Sequence, residues 1–204
     1  MKTFLITCPE LGDKALETAT HLGLRGIVPE IVDGIHGETF GLLPSRPYNE
    51  DRPGAGHLTP ISQVGLTLSH YMVWNICFHQ DKNGDDYERF LILEDDAKFP
   101  ADWRDRLDTA MQDLPADWDI FLIGNSNTED KEKKHFCGDV WEVKYPFCTH
   151  AYIVRRKALP TLIAKCRDAT MKIDLLMIKE AYPLLSVYTM LPRLVEQRGT
   201  DLAI

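Results

Sequence analysis

The stretch Arg89-Phe90-Leu91-Ile92-Leu93-Glu94-Asp95-Asp96 constrains this chain more than any other. An unbroken apolar run of this length, bounded by charge, reads as a strand at the centre of a sheet covered on both faces. It leads straight into three adjacent carboxylates, whose mutual repulsion and partial burial need compensation. A divalent cation supplies it most simply, because hard oxygen ligands suit Mg²⁺ or Mn²⁺ and these ions complete their shell with substrate phosphates and water. In an open α/β sheet the ligand crevice lies beyond the carboxyl ends of the strands, which is where this cluster falls. The plainer alternative is that the carboxylates solvate a loop or cap the next helix.

The flanking sequence fits an α/β chain. Lys2 to Thr7 reads as a strand, Glu10 to Leu22 as a helix and Ile27 to Val32 as a second strand, a β-α-β opening that favours parallel pairing. Asp33 to Pro60, rich in Gly and Pro, reads as a long binding loop or lid. Ile61 to Gln80, with Ser62 as its cap, has apolar residues in four-residue steps and reads as a buried helix. Asp81 to Asp86 is a polar turn. A helix from Pro100 to about Asp113, a strand from Asp119 to Ile123 and a charged loop from Asn125 to Lys134 follow. Strands at Val140 to Tyr145, Ala151 to Val154 and Leu184 to Met190 complete the pattern, with helices at Lys157 to Arg167 and Met171 to Ala181. Pro160 must then stand in a first helical turn. With no repeat and no linker composition, residues 1–204 are expected to form a single domain.

Composition narrows the partners. Of 204 residues, 44% are hydrophobic, enough for a core that needs neither disulfide nor structural metal. The formal net charge of −8, with no basic block, argues against nucleic acid. An acidic protein that takes an anionic ligand then needs a local cation. Five scattered cysteines without CxxC spacing point to free thiols in a reducing compartment. The short apolar N-terminus ends at Pro9, and no run approaches a membrane span. A cytoplasmic location, or a peripheral one at a membrane surface, is therefore expected.

Several motifs, taken together, resemble glycosyltransferase family 25. These are Gln63-Val64-Gly65-Leu66-Thr67-Leu68-Ser69-His70, then Trp74, then Leu91-Ile92-Leu93-Glu94-Asp95-Asp96-Ala97 and Phe99. Asp119 to Gly124, Thr149-His150-Ala151-Tyr152-Ile153-Val154 with Arg156, the acidic Asp174, and Pro192-Arg193-Leu194-Val195-Glu196-Gln197 with Asp201 follow in the family's order. Three positions depart from the pattern. Lys14 stands where an arginine is usual, Arg155 replaces a serine, and Thr200 replaces the serine before Asp201.

The resemblance implies a GT-A-type nucleotide-sugar-binding fold with a mostly parallel central sheet flanked by helices. It also implies transfer of a hexose, often galactose from UDP-galactose, with inversion, to a glycan or lipid-linked saccharide acceptor. By the same analogy Asp96 is the metal ligand for Mn²⁺ or Mg²⁺, with Glu94 and Asp201 as further ligands. Glu94 and Asp95 would serve the ribose of the UDP-sugar or the surroundings of the ion. Inversion needs a base to take the acceptor proton, and Asp174 is the candidate, with Asp119 the weaker alternative. His70 either orients the acidic cluster or a phosphate from beneath, or is a hydrogen-bonded core residue. Arg193 and Arg198 could reach the diphosphate as point charges, or remain solvated. His150 and Tyr152 could face an acceptor sugar, and the four tryptophans read as packing residues.

Two other classes compete. A phosphorylatable receiver domain shares an acidic pair after a strand, but its strand-terminal Asp, Thr/Ser and Lys cannot be placed here in order. A noncatalytic protein of the same fold that binds nucleotide sugars or sugars is the stronger rival, because fold does not guarantee activity.

Overall fold

The computed structural model describes residues 1–8, 13–39, 45–47, 58–80, 87–125, 132–169 and 171–198. In chain order the first half comprises β1 (Lys2–Thr7), α1 (Lys14–Leu24), β2 (Glu30–Asp33), β3 (Ser45–Pro47), β4 (Leu58–Thr59), α2 (Ile61–His79), β5 (Arg89–Glu94) and β6 (Ala97–Lys98). The second half comprises α3 (Trp103–Asp113), β7 (Ile120–Gly124), β8 (Lys134–Cys137), β9 (Val140–Glu142), β10 (Ala151–Arg155), α4 (Leu159–Lys165), α5 (Ile173–Leu176), β11 (Val187–Met190) and β12 (Glu196–Gln197).

An eight-stranded sheet in the order β2-β1-β5-β10-β7-β11-β9-β8 organises these elements. Only β10 and β9 run against the common direction. The sheet is therefore mostly parallel, and helices flank both of its faces.

The unbroken apolar runs are explained by alternation between two cores. Phe4, Ile6, Phe90, Ile92, Ile120, Leu122, Tyr152 and Val154 face one side, where α2 and α4 contribute Val73, Trp74, Cys77, Leu159 and Leu162. Leu5, Leu91, Leu93, Phe121, Ile123 and Ile153 face the other, against Leu22 of α1 and Trp103, Leu107 and Ala110 of α3. A strand covered on both sides has no polar face to show.

Several boundaries differ from the sequence reading. The first helix runs Lys14–Leu24, and β2 sits later than expected, at Glu30–Asp33. Part of the Asp33 to Pro60 loop forms the small antiparallel pair β3–β4. Pro60, not Ser62, is the N-cap residue of α2. The other end of α2 is closed from far away in sequence, because Arg156 donates to the carbonyls of Cys77 and Phe78, both at 3.2 Å, and its guanidinium lies over the Phe90 ring. The expected helix at Met171 to Ala181 is α5 followed by a π-helical turn, Met177–Ala181. Strands β8, β6 and β12 went unread because each is at most four residues long and exists only through its partner.

None of the five cysteines is joined in a disulfide. Burial pushes both Cys77 and Cys166 up to about 12. Only a fraction of roughly 10⁻⁴ of each would be thiolate at pH 8, and the thiolate is the reactive form. Iodoacetamide at pH 8 should therefore spare Cys77 and Cys166 in the native protein while modifying the exposed Cys137, with all labelled in guanidinium. Mass spectrometry showing rapid native labelling of Cys77 would contradict this packing of α2.

Candidate nucleotide-sugar site

The carboxyl ends of β1, β2 and β5 meet at one rim of the sheet, and because β10 is antiparallel its first residues arrive at the same rim. A cavity of about 240 Å³ opens there. Thr7 and Cys8 after β1, Gly34 to Gly37 after β2, Leu66 and Ser69 of α2, and Glu94 and Asp95 line it.

The motif on α2 builds one wall of this cavity. Ser69 accepts a hydrogen bond from the Ile35 amide at 2.7 Å and donates to the Gly65 carbonyl at 2.8 Å, so the β2 loop is tied to the helix. A Cβ on Gly65 would stand 2.3 Å from the Ile35 carbonyl oxygen, a backbone atom that cannot swing aside. Gly65→Ala should therefore displace residues 34–37 and destabilise the protein by about 1–3 kcal/mol. Thermal unfolding with a parallel measurement of nucleotide affinity checks this; an unchanged melting temperature would mean the loop is not packed on α2.

The three carboxylates, adjacent in sequence, go to three environments. Glu94 points to the α2 side, where its Oε1 accepts from Thr149 Oγ1 at 2.7 Å and from His70 Nε2 at 3.1 Å. Burial alone would raise its carboxyl, but the hydrogen bonds from His70 and then Thr149 outweigh that and hold it below the ordinary value. Asp95 faces the cavity beside Cys8. Burial raises it, opposed by the Cys8 amide and by Lys14, and the Glu94 charge raises it further. Lys14 thus lies within electrostatic reach of the cluster.

Asp96 turns to the other side of the strand, under the C-terminal segment. Strand β12 pairs with β6, the Arg198 amide donates to the Asp96 carbonyl at 2.7 Å, and Gln197 Nε2 donates to Asp96 Oδ2 at 2.7 Å. Burial and then the Glu94 charge raise the Asp96 carboxyl, with the Gln197 bond opposing. Among the described residues its Oδ1 is buried without a hydrogen-bond partner, and so is Nδ1 of His150. A buried carboxylate oxygen left unsatisfied in a native fold calls for a water or an ion, so Asp96 Oδ1 fits a divalent cation. Among the described residues no three His, Cys, Asp or Glu side chains form a cage. Such an ion would therefore depend on phosphate and water oxygens, as Mg²⁺ commonly does.

The remaining candidates divide by position. Asp174, in the first turn of α5, accepts from the Leu175 amide at 2.8 Å and lies 3.5 Å from the Cys148 amide, one residue from Thr149; it therefore stands at the same rim. Asp119 does not. It opens β7 at the opposite end of the sheet, where it is bonded to the Ser186 amide and Lys157, and it is withdrawn as a base. Arg193 is occupied by Glu196 at 2.6 Å and the Asn125 carbonyl, and Arg198 by Glu17. His150 and Tyr152 are buried, so neither offers an acceptor platform; His150 Nε2 donates to the Val195 carbonyl at 3.2 Å instead. Asp201 lies outside the described residues.

Residues 20–177 match the family model described as glycosyltransferase family 25 (LPS biosynthesis protein). The chain belongs to glycosyltransferase family 25. Among its relatives, the human protein named inactive glycosyltransferase 25 family member 3 is 26% identical over 168 residues, which cover 76% of this chain and 27% of that protein. Human procollagen galactosyltransferase 2 is 25% identical over 174 residues, covering 78% of this chain and 27% of that protein. This family 25 chain thus matches about a quarter of the length of those relatives. Its fold is similar to that of a glycosyltransferase involved in the glycosylation of the major capsid of PBCV-1, with a TM-score of 0.53, 11% identity, and coverage of 97% and 93% of the two chains. A197 from STIV is similar at a TM-score of 0.50 and 12% identity, with coverage of 96% and 83%.

The sequence reading named Thr149 and Gln197 without assigning them a part in the site, and it included Gly34–Gly37 only within the long binding loop or lid expected over Asp33 to Pro60. Thr149 and Gln197 could be found only by knowing their distant partners. The loop carried a signal, two glycines three apart just after a strand.

Proposed function

We propose that this chain is a hexosyltransferase that takes a nucleotide diphosphate sugar, with UDP-galactose as the first donor to try. It would transfer the hexose with inversion to a hydroxyl of a glycan or lipid-linked saccharide, assisted by Mn²⁺ or Mg²⁺. The observation that carries the reading is the buried, unpartnered Asp96 Oδ1 at the end of β5, beside a cavity lined by Glu94 and Asp95. A bound ion would neutralise the diphosphate and stabilise the charge that builds on departing UDP. Asp96 holds it, Glu94 and Asp95 face the nucleoside, and Asp174 takes the acceptor proton.

A noncatalytic nucleotide-sugar binder is the second reading, favoured by relatives whose names carry the word inactive. Purified protein incubated with Mn²⁺ and a panel of UDP-sugars separates the two. The transferase releases UDP slowly by hydrolysis even without acceptor, and EDTA abolishes release. Mn²⁺-dependent UDP binding without release from any donor selects the binder, and absence of both binding and release rejects the two readings together. No helix among the described residues is long and apolar enough to cross a membrane.

A further inference from the structure

Four residues from α2, β5 and β10 form a hydrogen-bonded chain that ends at the cavity. Trp74 Nε1 lies 2.8 Å from the Tyr152 hydroxyl, the same hydroxyl lies 2.9 Å from His70 Nδ1, and His70 Nε2 lies 3.1 Å from Glu94 Oε1. His70, Trp74 and Tyr152 are each wholly buried. His70 and Trp74 are one helical turn apart on α2, and Tyr152 on β10 stacks against the His70 ring at a centroid distance of 5.7 Å.

Donor chemistry gives the chain one direction. An indole nitrogen can only donate, so the Tyr152 oxygen accepts from Trp74, and among the described residues the only acceptor within reach of the Tyr152 proton is His70 Nδ1. His70 must then carry its proton on Nε2 and donate to Glu94. With Thr149 donating to the same oxygen, Oε1 of Glu94 is held by two donors, while its other oxygen makes no hydrogen bond among the described residues and the side chain lines the cavity.

We infer that Trp74, Tyr152 and His70 are positioning residues: by locking His70 as its Nε2–H tautomer they fix the orientation in which Glu94 offers its second oxygen to a hydroxyl of the bound nucleotide sugar. The inference rests on the nucleotide-sugar reading of the cavity, and it adds three residues that touch no ligand. Outer hydrogen-bond partners of this kind commonly change affinity by roughly 10- to 100-fold when removed.

The test uses His70→Leu, His70→Gln and Tyr152→Phe, with UDP and Mn²⁺ as the probe in calorimetry at a temperature where each variant is folded. Glutamine can place an amide N–H close to where Nε2–H stood. His70→Leu should weaken UDP by at least about 10-fold and His70→Gln by no more than about threefold, a rescue that packing alone does not explain. In ¹⁵N-histidine NMR the wild-type His70 should show a protonated Nε2 and an unprotonated, hydrogen-bonded Nδ1, and Tyr152→Phe should shift the Nδ1 signal. A folded His70→Leu protein that binds UDP like the wild type overturns the inference, as does a His70 protonated on Nδ1. If wild-type protein binds no nucleotide, the functional reading fails on its own; the chain is then judged by the NMR signature and by whether Glu94→Gln moves the Nε2 signal, and an unmoved signal rejects it.

Discussion

Asparagine in place of Asp96 is expected to reduce metal-assisted UDP release by about 100-fold or more and, in the absence of metal, to raise the melting temperature. The two effects have one origin. The carboxyl is raised by burial and by the neighbouring Glu94 charge, so the ionised form is held in the fold at a cost. Asparagine keeps an acceptor for Gln197 and removes the charge, while depriving a cation of its anionic ligand. A gain of about 1 kcal/mol would appear as about 2–4 °C in a chain of this size. Because the folded carboxyl binds its proton more readily than the unfolded one, its penalty is complete above the raised value and fades as pH falls through it towards the unfolded one. The gap between variant and wild type should therefore narrow on acidification. Calorimetry in EDTA at pH 7 and pH 5, together with a UDP-release assay in Mn²⁺, measures both effects. Wild-type turnover in the variant would remove Asp96 from the metal site.

Glu94→Ala should be the most destabilising change at this rim, at roughly 3–5 kcal/mol, or about 10 °C. It leaves the buried His70 Nε2–H and Thr149 hydroxyl without their acceptor, and an orphaned buried donor costs more than the bond it replaces was worth. Glu94→Gln keeps a carbonyl oxygen for both donors and should lose only about 1 kcal/mol. Here the linkage has the opposite sign. The Glu94 carboxyl lies below its ordinary value of 4.5, so its contribution is complete above that pH and is lost as pH falls through the lowered one. Wild type and Glu94→Gln should converge in stability only in strong acid. Equal stability of the alanine and glutamine variants at pH 7 would show that Glu94 is not holding His70 and Thr149.

Much of the architecture was legible in the residues. The runs at Lys2–Thr7, Arg89–Glu94, Ile120–Gly124, Ala151–Arg155 and Val187–Met190 are strands because long apolar stretches with two buried faces have few other solutions. Strands of two to four residues, such as β6, β8 and β12, carry no such signal; they become strands only when a distant segment supplies the other half of the hydrogen bonds. Asp119 illustrates the corresponding limit for the site. In sequence it is, like Asp174, an acidic residue next to apolar ones, and the direction of β7 alone puts it at the wrong end of the sheet.

The sequence by itself determined that an apolar central strand delivers three carboxylates to one edge of the sheet, because burial on two faces and charge at the terminus are local properties. Only the tertiary structure decided what each carboxylate would do. Glu94 meets His70 and Thr149, and Asp96 meets Gln197, across 24, 55 and 101 residues of chain. Their charge states follow from those partners, and hydrogen bonds between side chains so far apart leave no trace in the local pattern of residues.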